Sequence, residues 1–421
     1  MSRRQYFERI IIIAMIMGAS ILVGALYVQK HFLENDLLNK IMSIYVSFYI
    51  GVVILQVIYI IIRYRGKYFK YRKIRKMLED NLISINAYEK KQINYLIMPK
   101  IKIRKNIIKI RLKNIKVRKI IERYMDSLST ALVNDFVVEE CFITPSNNEL
   151  IIKYEDISKY VQESYTLREY EEIVKKTFPA EFYLDKKHIY SFEKYPHLLI
   201  SGATSSGKSY LANQVIIQAI IKKWDVTILD IKRSYGIYRE NVEYETDAKA
   251  ILNKLNKLEA EMYQRIKDLE PMLNISPKAL AIDLGYKEKI ILIEEYISLK
   301  NLLDKKEKEE LEQIVKNISV LGRVANIHVL LVMQSANTEN INSTTRAQFS
   351  KILLGQNNSN IITGTFGNNI TLPTTRIEKY QGYIQLDKIT VLKVLELKDM
   401  EKVKTVIGEG AEGNRNQFEE E

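Results

Sequence analysis

The sequence predicts an α/β fold: a parallel sheet with helices on both faces, joined to a small α+β domain and an N-terminal two-helix transmembrane hairpin. Three observations carry that prediction. From about Phe182 onward, short apolar runs alternate with helical stretches, the mark of a parallel sheet packed between helices. Within this part, GATSSGKS (Gly202 to Ser209) sets two glycines five apart before Lys and Ser, the pattern of a phosphate-cradling loop between a strand and a helix. Near the N-terminus, Ile10 to Val28 and Ile41 to Ile62 are uncharged apolar runs of nineteen and twenty-two residues. Each is long enough to cross a hydrocarbon core of roughly 30 Å.

The loop carries the chemistry. An apolar strand, His197 to Ser201, leads in, and a helix from Tyr210 to Lys223 leads out. Glycines at 202 and 207 let backbone N–H groups converge on a β-phosphate with no Cβ in the way. The helix adds its positive N-terminal end. Gly202, Ala203, Thr204, Ser205, Ser206, Gly207, Lys208, Ser209 and Tyr210 form the expected nucleotide-binding set. Lys208 supplies a point charge for the β- and γ-phosphates, and the Ser209 hydroxyl is a ligand for Mg²⁺. The expected cofactors are ATP and Mg²⁺.

Charge and composition narrow the classes. The 421 residues carry a net charge of +13, but residues 1–125 hold 26 Lys/Arg against 7 Asp/Glu, so the remainder is net acidic. A basic third calls for an anionic partner, membrane lipid or nucleic acid. A single cysteine, Cys141, excludes an intramolecular disulfide and a cysteine zinc cluster, and the four histidines lack ligand spacing. The bases flanking the two apolar runs (Arg3, Arg4 and Arg9 before, Arg63 to Lys76 after) put both ends in the cytoplasm by the positive-inside rule. A cleaved leader or two buried core helices are the competing readings. The juxtamembrane run Tyr64 to Lys76 mixes bases with aromatics and fits anionic headgroups better than DNA.

The expected domains are 1–78 (hairpin and basic juxtamembrane segment), 79–180 (small basic domain and connector), 181–407 (ATPase domain) and 408–421 (an acidic disordered tail). In the second, Pro99 to Leu112 alternates Lys/Arg with Ile, a hairpin turning at Lys105-Asn106 with one wet face. That face shows Lys100, Lys102, Arg104, Lys109 and Arg111. It reads equally as a phosphate-backbone contact and as an ordinary solvated or membrane-facing surface. A helix over 118–132 and a second hairpin, 136–143 with 149–154, follow. Residues 156–179 read as a charged connector.

In the ATPase domain, strand 226–229 ends in Asp230-Ile231-Lys232, and a long helix spans 248–269. Lys289 to Leu299 then runs through four apolar residues to Glu294-Glu295. That is the strand end at which ligands of such sheets bind. Adjacent strand residues point opposite ways, so one carboxylate can hold the Mg²⁺ shell (Glu294) while the next polarises water (Glu295). A helix from Glu309 to Gly322 leads to strand 327–333, which ends at Gln334. There an amide can sense a γ-phosphate or cap the strand. His328 reads as a packing residue. Strand 351–355 and a hairpin, 382–386 with 389–397, close the domain.

PHLLISGATSSGKS, EMYQR (Glu261 to Arg265), IEEYISL and RVANIHVLLVMQ together resemble the FtsK/SpoIIIE family of DNA-pumping ATPases, over roughly residues 182–400. The resemblance implies a RecA-like fold, a homo-hexameric ring and DNA through the pore. It also implies Glu295 as the catalytic glutamate, Gln334 as sensor, and Arg323 or Arg346 reaching a neighbour's γ-phosphate. Two positions depart from the family. Glu294 stands where an Asp is usual, and Ile231 replaces a proline that would stiffen its turn. No room exists between Ser209 and Glu294 for a large inserted domain, and one motor is present. This layout is similar to the FtsK-like coupling proteins of Gram-positive conjugative elements. The resemblance thus implies a membrane-anchored ATPase passing DNA and a relaxase to a conjugation channel. The alternatives are a protein-secretion ATPase and a membrane scaffold with a degenerate nucleotide site.

Overall fold

The structure, a computed structural model, describes residues 68–403 apart from 90–95, 133–134, 145–147, 157–161 and 368–369, together with a few isolated helical positions between 24 and 51. Those positions aside, the two apolar runs of the expected hairpin and the acidic tail from 408 lie outside the described residues. Among the described residues no helix is long and apolar enough to cross a membrane.

The chain forms two compact units, 1–157 and 158–421. In the first, helix α1 (Tyr68–Ser84) accompanies strands β1 (Ile101–Arg104) and β2 (Ile107–Arg111), helices α2 (Ile115–Arg123) and α3 (Met125–Thr130), and strands β3 (Phe136–Thr144) and β4 (Glu149–Asp156). The strands pair antiparallel in the order β1-β2-β4-β3. Alternation works as anticipated: Ile101, Ile108 and Ile110 enter the core, and Lys102, Arg104 and Lys109 stay exposed. The helix expected over 118–132 is two helices. They part at Tyr124, whose backbone (φ -114, ψ 27) leaves the helical region between them. Residues 68–76, the described part of the basic juxtamembrane run, open α1. Ile74, Leu78 and Leu82 are fully buried, Lys70 pairs with Asp156 (2.9 Å) and Lys73 with Asp135 (2.6 Å).

The second unit begins at the supposed connector. Strand β5 (Ser164–Tyr165) and helix α4 (Leu167–Val174) precede a hairpin, β6 (Glu181–Asp185) and β7 (His188–Ser191), that sequence reasoning did not resolve. Leu167, Tyr170 and Val174 are buried in the core of the second unit, which is why this stretch belongs with it. Then come β8 (Leu198–Gly202), α5 (Lys208–Ile221), β9 (Asp225–Asp230), β10 (Glu243–Glu245), α6 (Ala248–Leu273), β11 (Lys289–Glu294), α7 (Tyr296–Leu302), α8 (Lys305–Leu321) and β12 (Ile327–Met333). The unit ends with α9 (Ser343–Ala347), β13 (Ser350–Leu354), α10 (Ser359–Phe366), β14 (Gln381–Gln385), β15 (Ile389–Lys393) and β16 (Glu396–Leu397).

Eight strands form one sheet, β10-β9-β11-β12-β8-β13-β14-β15, parallel through β13 and antiparallel in the last two pairings. Each central strand splits its side chains between two cores. Ile290 and Leu292 of β11 join Leu198 and Ile200 of β8 on the α5 face. Ile291 and Ile293 join Leu331 and Met333 beneath α6 and α8. Both faces are covered, so the strands read as continuous apolar runs. His328 packs as expected: its ring stacks on Trp224 and bonds the Pro196 carbonyl and Glu288, each at 2.8 Å. EMYQR is structural too, since Arg265 binds the Lys287 and Ala325 carbonyls at the strands' N-terminal edge.

Candidate nucleotide site

Parallel strands share a C-terminal edge, and the site is built there. β8 delivers the loop, β11 delivers the acids, and β12 lies between them, its end marked by Gln334. The Gly202 N–H donates to the Gln334 carbonyl at 3.2 Å, tying the loop's start to the end of β12, where Gln334 is exposed.

The loop needs its glycines. Gly202 has φ 150, and a Cβ there would lie 2.2 Å from the Leu354 carbonyl oxygen. Gly207 has φ 105, and Ser205 adopts φ 59. Gly355, which the sequence did not single out, sits at φ 64 with its would-be Cβ 2.6 Å from Ser206 Cβ. The loop is therefore backed by a second glycine turn at the end of β13. The Ser206 hydroxyl is buried with no partner among the described residues. A buried orphan hydroxyl in a glycine-flanked loop suits a phosphate oxygen. Lys208 folds over the loop, its ammonium donating to the Gly202 (3.0 Å) and Ala203 (2.9 Å) carbonyls. Burial pulls its pKa down, while Glu295 and Glu294 oppose that shift.

Glu294 ends β11 on the α5 face, beside Asp230 in register. Its carboxylate lies 3.5 Å from the Ser209 hydroxyl and accepts from the Tyr235 hydroxyl at 3.2 Å. The extra methylene relative to Asp thus reaches the P-loop serine. Burial raises the Glu294 carboxyl to about 7, with Asp230 and Glu295 adding to the shift and Tyr235 and Lys232 opposing it. No group of three or more His, Cys, Asp or Glu among the described residues could hold a metal on its own. Ser209 and Glu294 fit a cation that arrives with phosphate: one hydroxyl, one nearby carboxylate, and phosphate oxygens for the rest. When bound, such a cation neutralises charge on the phosphates.

Glu295 corrects one expectation. A continuing strand would send it toward the opposite face with Ile291 and Ile293. Instead its backbone is left-handed, φ 54 and ψ 55, at the start of α7. A non-glycine residue pays about 1–3 kcal/mol for such geometry. The turn brings Glu295 back to the same edge, where it is buried and bonded to the Lys232 ammonium. Lys232 is placed by Asp230, which accepts from the Lys232 N–H (3.1 Å), the Tyr235 N–H (2.8 Å) and the Tyr244 hydroxyl (2.9 Å). These bonds hold the turn that lacks a proline. Sequence reasoning noticed Lys232 only as a motif position and had no signal for Tyr235.

The two candidate arginines are not brought to this cluster. Arg323 is exposed on the turn before β12, at the strand's opposite end from Gln334. Arg346 donates to the Ala336 (2.7 Å) and Gly364 carbonyls, and burial lowers its pKa.

Comparison with known proteins adds the following. Residues 159–291 match the FtsK/SpoIIIE family, a span that includes the loop and stops short of Glu294. The FtsK domain-containing protein YdcQ of Bacillus subtilis is 30% identical over 212 residues, covering 49% of this chain and 44% of that protein. DNA translocase FtsK of Borreliella burgdorferi is 27% identical over 201 residues, 41% of this chain and 24% of that protein. The match thus spans less than half the length of either relative. Among solved structures, the pCW3 conjugation coupling protein TcpA, a monomer form with ATPγS, superposes with a TM-score of 0.53 at 15% identity, covering 80% of this chain and 99% of that one. That likeness establishes the fold, an α/β P-loop ATPase fold.

Proposed function

We propose that this chain, which carries an FtsK/SpoIIIE domain, is a membrane-anchored ATPase that moves DNA. In this reading it acts as a coupling protein in conjugative transfer and works as a homo-hexamer. The observation that supports it best is the cluster on one edge: Lys208 and Ser209 from the loop, Glu294 within reach of Ser209, and Glu295 turned out of its strand and bonded to Lys232. The loop amides and Lys208 hold the β- and γ-phosphates, and Ser209 and Glu294 hold the Mg²⁺ shell. Glu295 accepts the proton of the attacking water, and Gln334 reports the γ-phosphate. Arg323 and Arg346 remain the candidates for a neighbour's arginine. Arg323 has the freer side chain for it, because Arg346 is tied to two carbonyls.

The small domain supports a polyanionic partner. Lys102 and Lys109 face each other in register across β1 and β2, and like charges directly opposite are destabilising unless something neutralises them. The two apolar runs remain the proposed membrane anchor, with anionic lipid at the basic juxtamembrane run. The Glu294 contact to Ser209 counts against a scaffold with a dead site.

The test is ATP hydrolysis by the full chain with and without DNA. Stimulation by DNA, lost in Lys208→Ala, is expected. A rate indifferent to DNA, together with capture of a small helical secreted protein in place of a relaxase, would favour the secretion reading.

A further inference from the structure

We infer that Tyr380 and Tyr210 form the platform on which the nucleobase stacks, an inference that rests on the P-loop reading and goes further than it. The Tyr380 ring lies directly against the end of the loop: a Cβ built on Gly207 would be 2.7 Å from its Cδ1. Gly207 is therefore excluded from carrying a side chain twice over, by its backbone and by this ring. Tyr210 projects from the first turn of α5, 49% exposed, and its ring centroid is 5.8 Å from that of Tyr380 with the planes at 67°. The two rings make an open corner beside the point where phosphates would enter the loop.

The backbone of Tyr380 argues that this placement is held on purpose. Tyr380 has φ 60, left-handed, where a bulky aromatic is uncommon. Its carbonyl accepts from Val394 N–H at 2.8 Å, and Gly382, two residues on, packs against β13 so closely that a Cβ would lie 2.3 Å from the Leu353 carbonyl. The turn before β14 is thereby pinned to the strands on either side, and the ring it aims is pinned with it. The Lys379 ammonium lies 4.8 Å from the Tyr380 centroid, a weaker contact than a stacked base would make. A half-exposed Tyr210 beside a partly buried, strained Tyr380 that touches the phosphate loop suits a flat π-surface tethered to phosphates. A purine base is such a surface.

The alternative is that Tyr380 merely buttresses Gly207. Two ligands separate these: Mg²⁺–ATPγS, which has a base, and Mg²⁺–tripolyphosphate, which has none. Titration calorimetry on the full chain would give both affinities for the wild type, Tyr380→Ala, Tyr380→Phe and Tyr210→Ala. Stacking predicts that Tyr380→Ala weakens ATPγS about 5- to 50-fold and Tyr210→Ala about 3- to 10-fold. Tripolyphosphate should hold within about twofold throughout, and Tyr380→Phe should behave as wild type. Equal losses for both ligands, or unchanged ATPγS affinity in both alanine variants, would overturn the platform. Wild-type protein that binds neither ligand would overturn the P-loop reading itself, and Lys208→Ala, which should weaken both, marks that failure separately.

Discussion

The buried carboxyl of Glu294 makes a quantitative prediction about pH. With its pKa raised to about 7, chiefly by burial, about half of the free protein carries a proton there at neutral pH. A cation bound between Ser209 and Glu294 needs the carboxylate, so binding must expel that proton. The raised pKa disfavours the charged form, so affinity is lost as pH falls through about 7 and is complete above it. Between pH 8 and pH 6 the affinity for Mg²⁺–ATPγS should fall about tenfold, whereas a carboxyl at the ordinary 4.5 would cost almost nothing over that range. Titration calorimetry in two buffers of different ionisation enthalpy should also find about half a proton released per site at pH 7. The γ-phosphate titrates nearby, so the comparison is with Glu294→Gln, whose remaining pH slope belongs to the ligand alone. Identical slopes and identical proton release in the two proteins would refute the placement of the metal beside Glu294.

Four further outcomes follow from the same geometry. Glu295→Gln should lower turnover by about 10²- to 10⁴-fold with ATPγS affinity within a few fold, because a general base acts on the transition state and not on binding; a matching loss of affinity would point to a ligand role instead. Asp230→Ala strips the acceptor from two backbone N–H groups and the Tyr244 hydroxyl, and should cost about 3 kcal/mol in urea unfolding followed by Trp224 fluorescence. Asp230→Asn, which keeps an acceptor oxygen, should cost clearly less. Gly355→Ala puts a Cβ against Ser206 at a left-handed backbone, and should impair tripolyphosphate binding while far-ultraviolet circular dichroism stays native. Replacing Lys102 and Lys109 together by Ala should lower the salt dependence of DNA binding by a slope of about 2; an unchanged slope would remove that face from the DNA path.

The sheet was legible because its strands are buried on both sides. Ile327 to Met333 is the strand its apolar run predicts, and β8, β9 and β11 lie within a residue or two of expectation. Helix α8 begins at Lys305, four residues before the expected Glu309, because Asp304 and Glu307 cap each other reciprocally. The hairpin β6–β7 was less visible. It is anchored by a polar stitch, Asp185 to His188 (2.7 Å) and His188 to Thr390 (2.8 Å), that no periodicity announces. At the site, spacing revealed the loop and the acids, since those are local. Residues brought in by turns were hidden. Glu295 escaped the strand rule through one left-handed residue, Tyr235 arrives through the Asp230 turn, and Tyr380 comes from 170 positions beyond Tyr210. Arg323 and Arg346 entered through resemblance alone, and each is placed by local turn geometry that the motif does not encode.

The pairing of β5 with β16 joins Ser164 to Glu396 and Tyr165 to Leu397. Gln162 bonds the Val394 carbonyl and Gln214, on the helix that follows the phosphate loop, bonds that of Leu395. A growing polypeptide therefore holds the first half of each contact long before the ribosome releases the second. The second unit can complete these contacts only after β16 has left the exit tunnel, and until then the helix behind the loop has an unfinished backing. Synthesis that stops a few codons short of Leu395 would yield a chain with every signature residue but without the carbonyl that anchors Gln214 behind the loop.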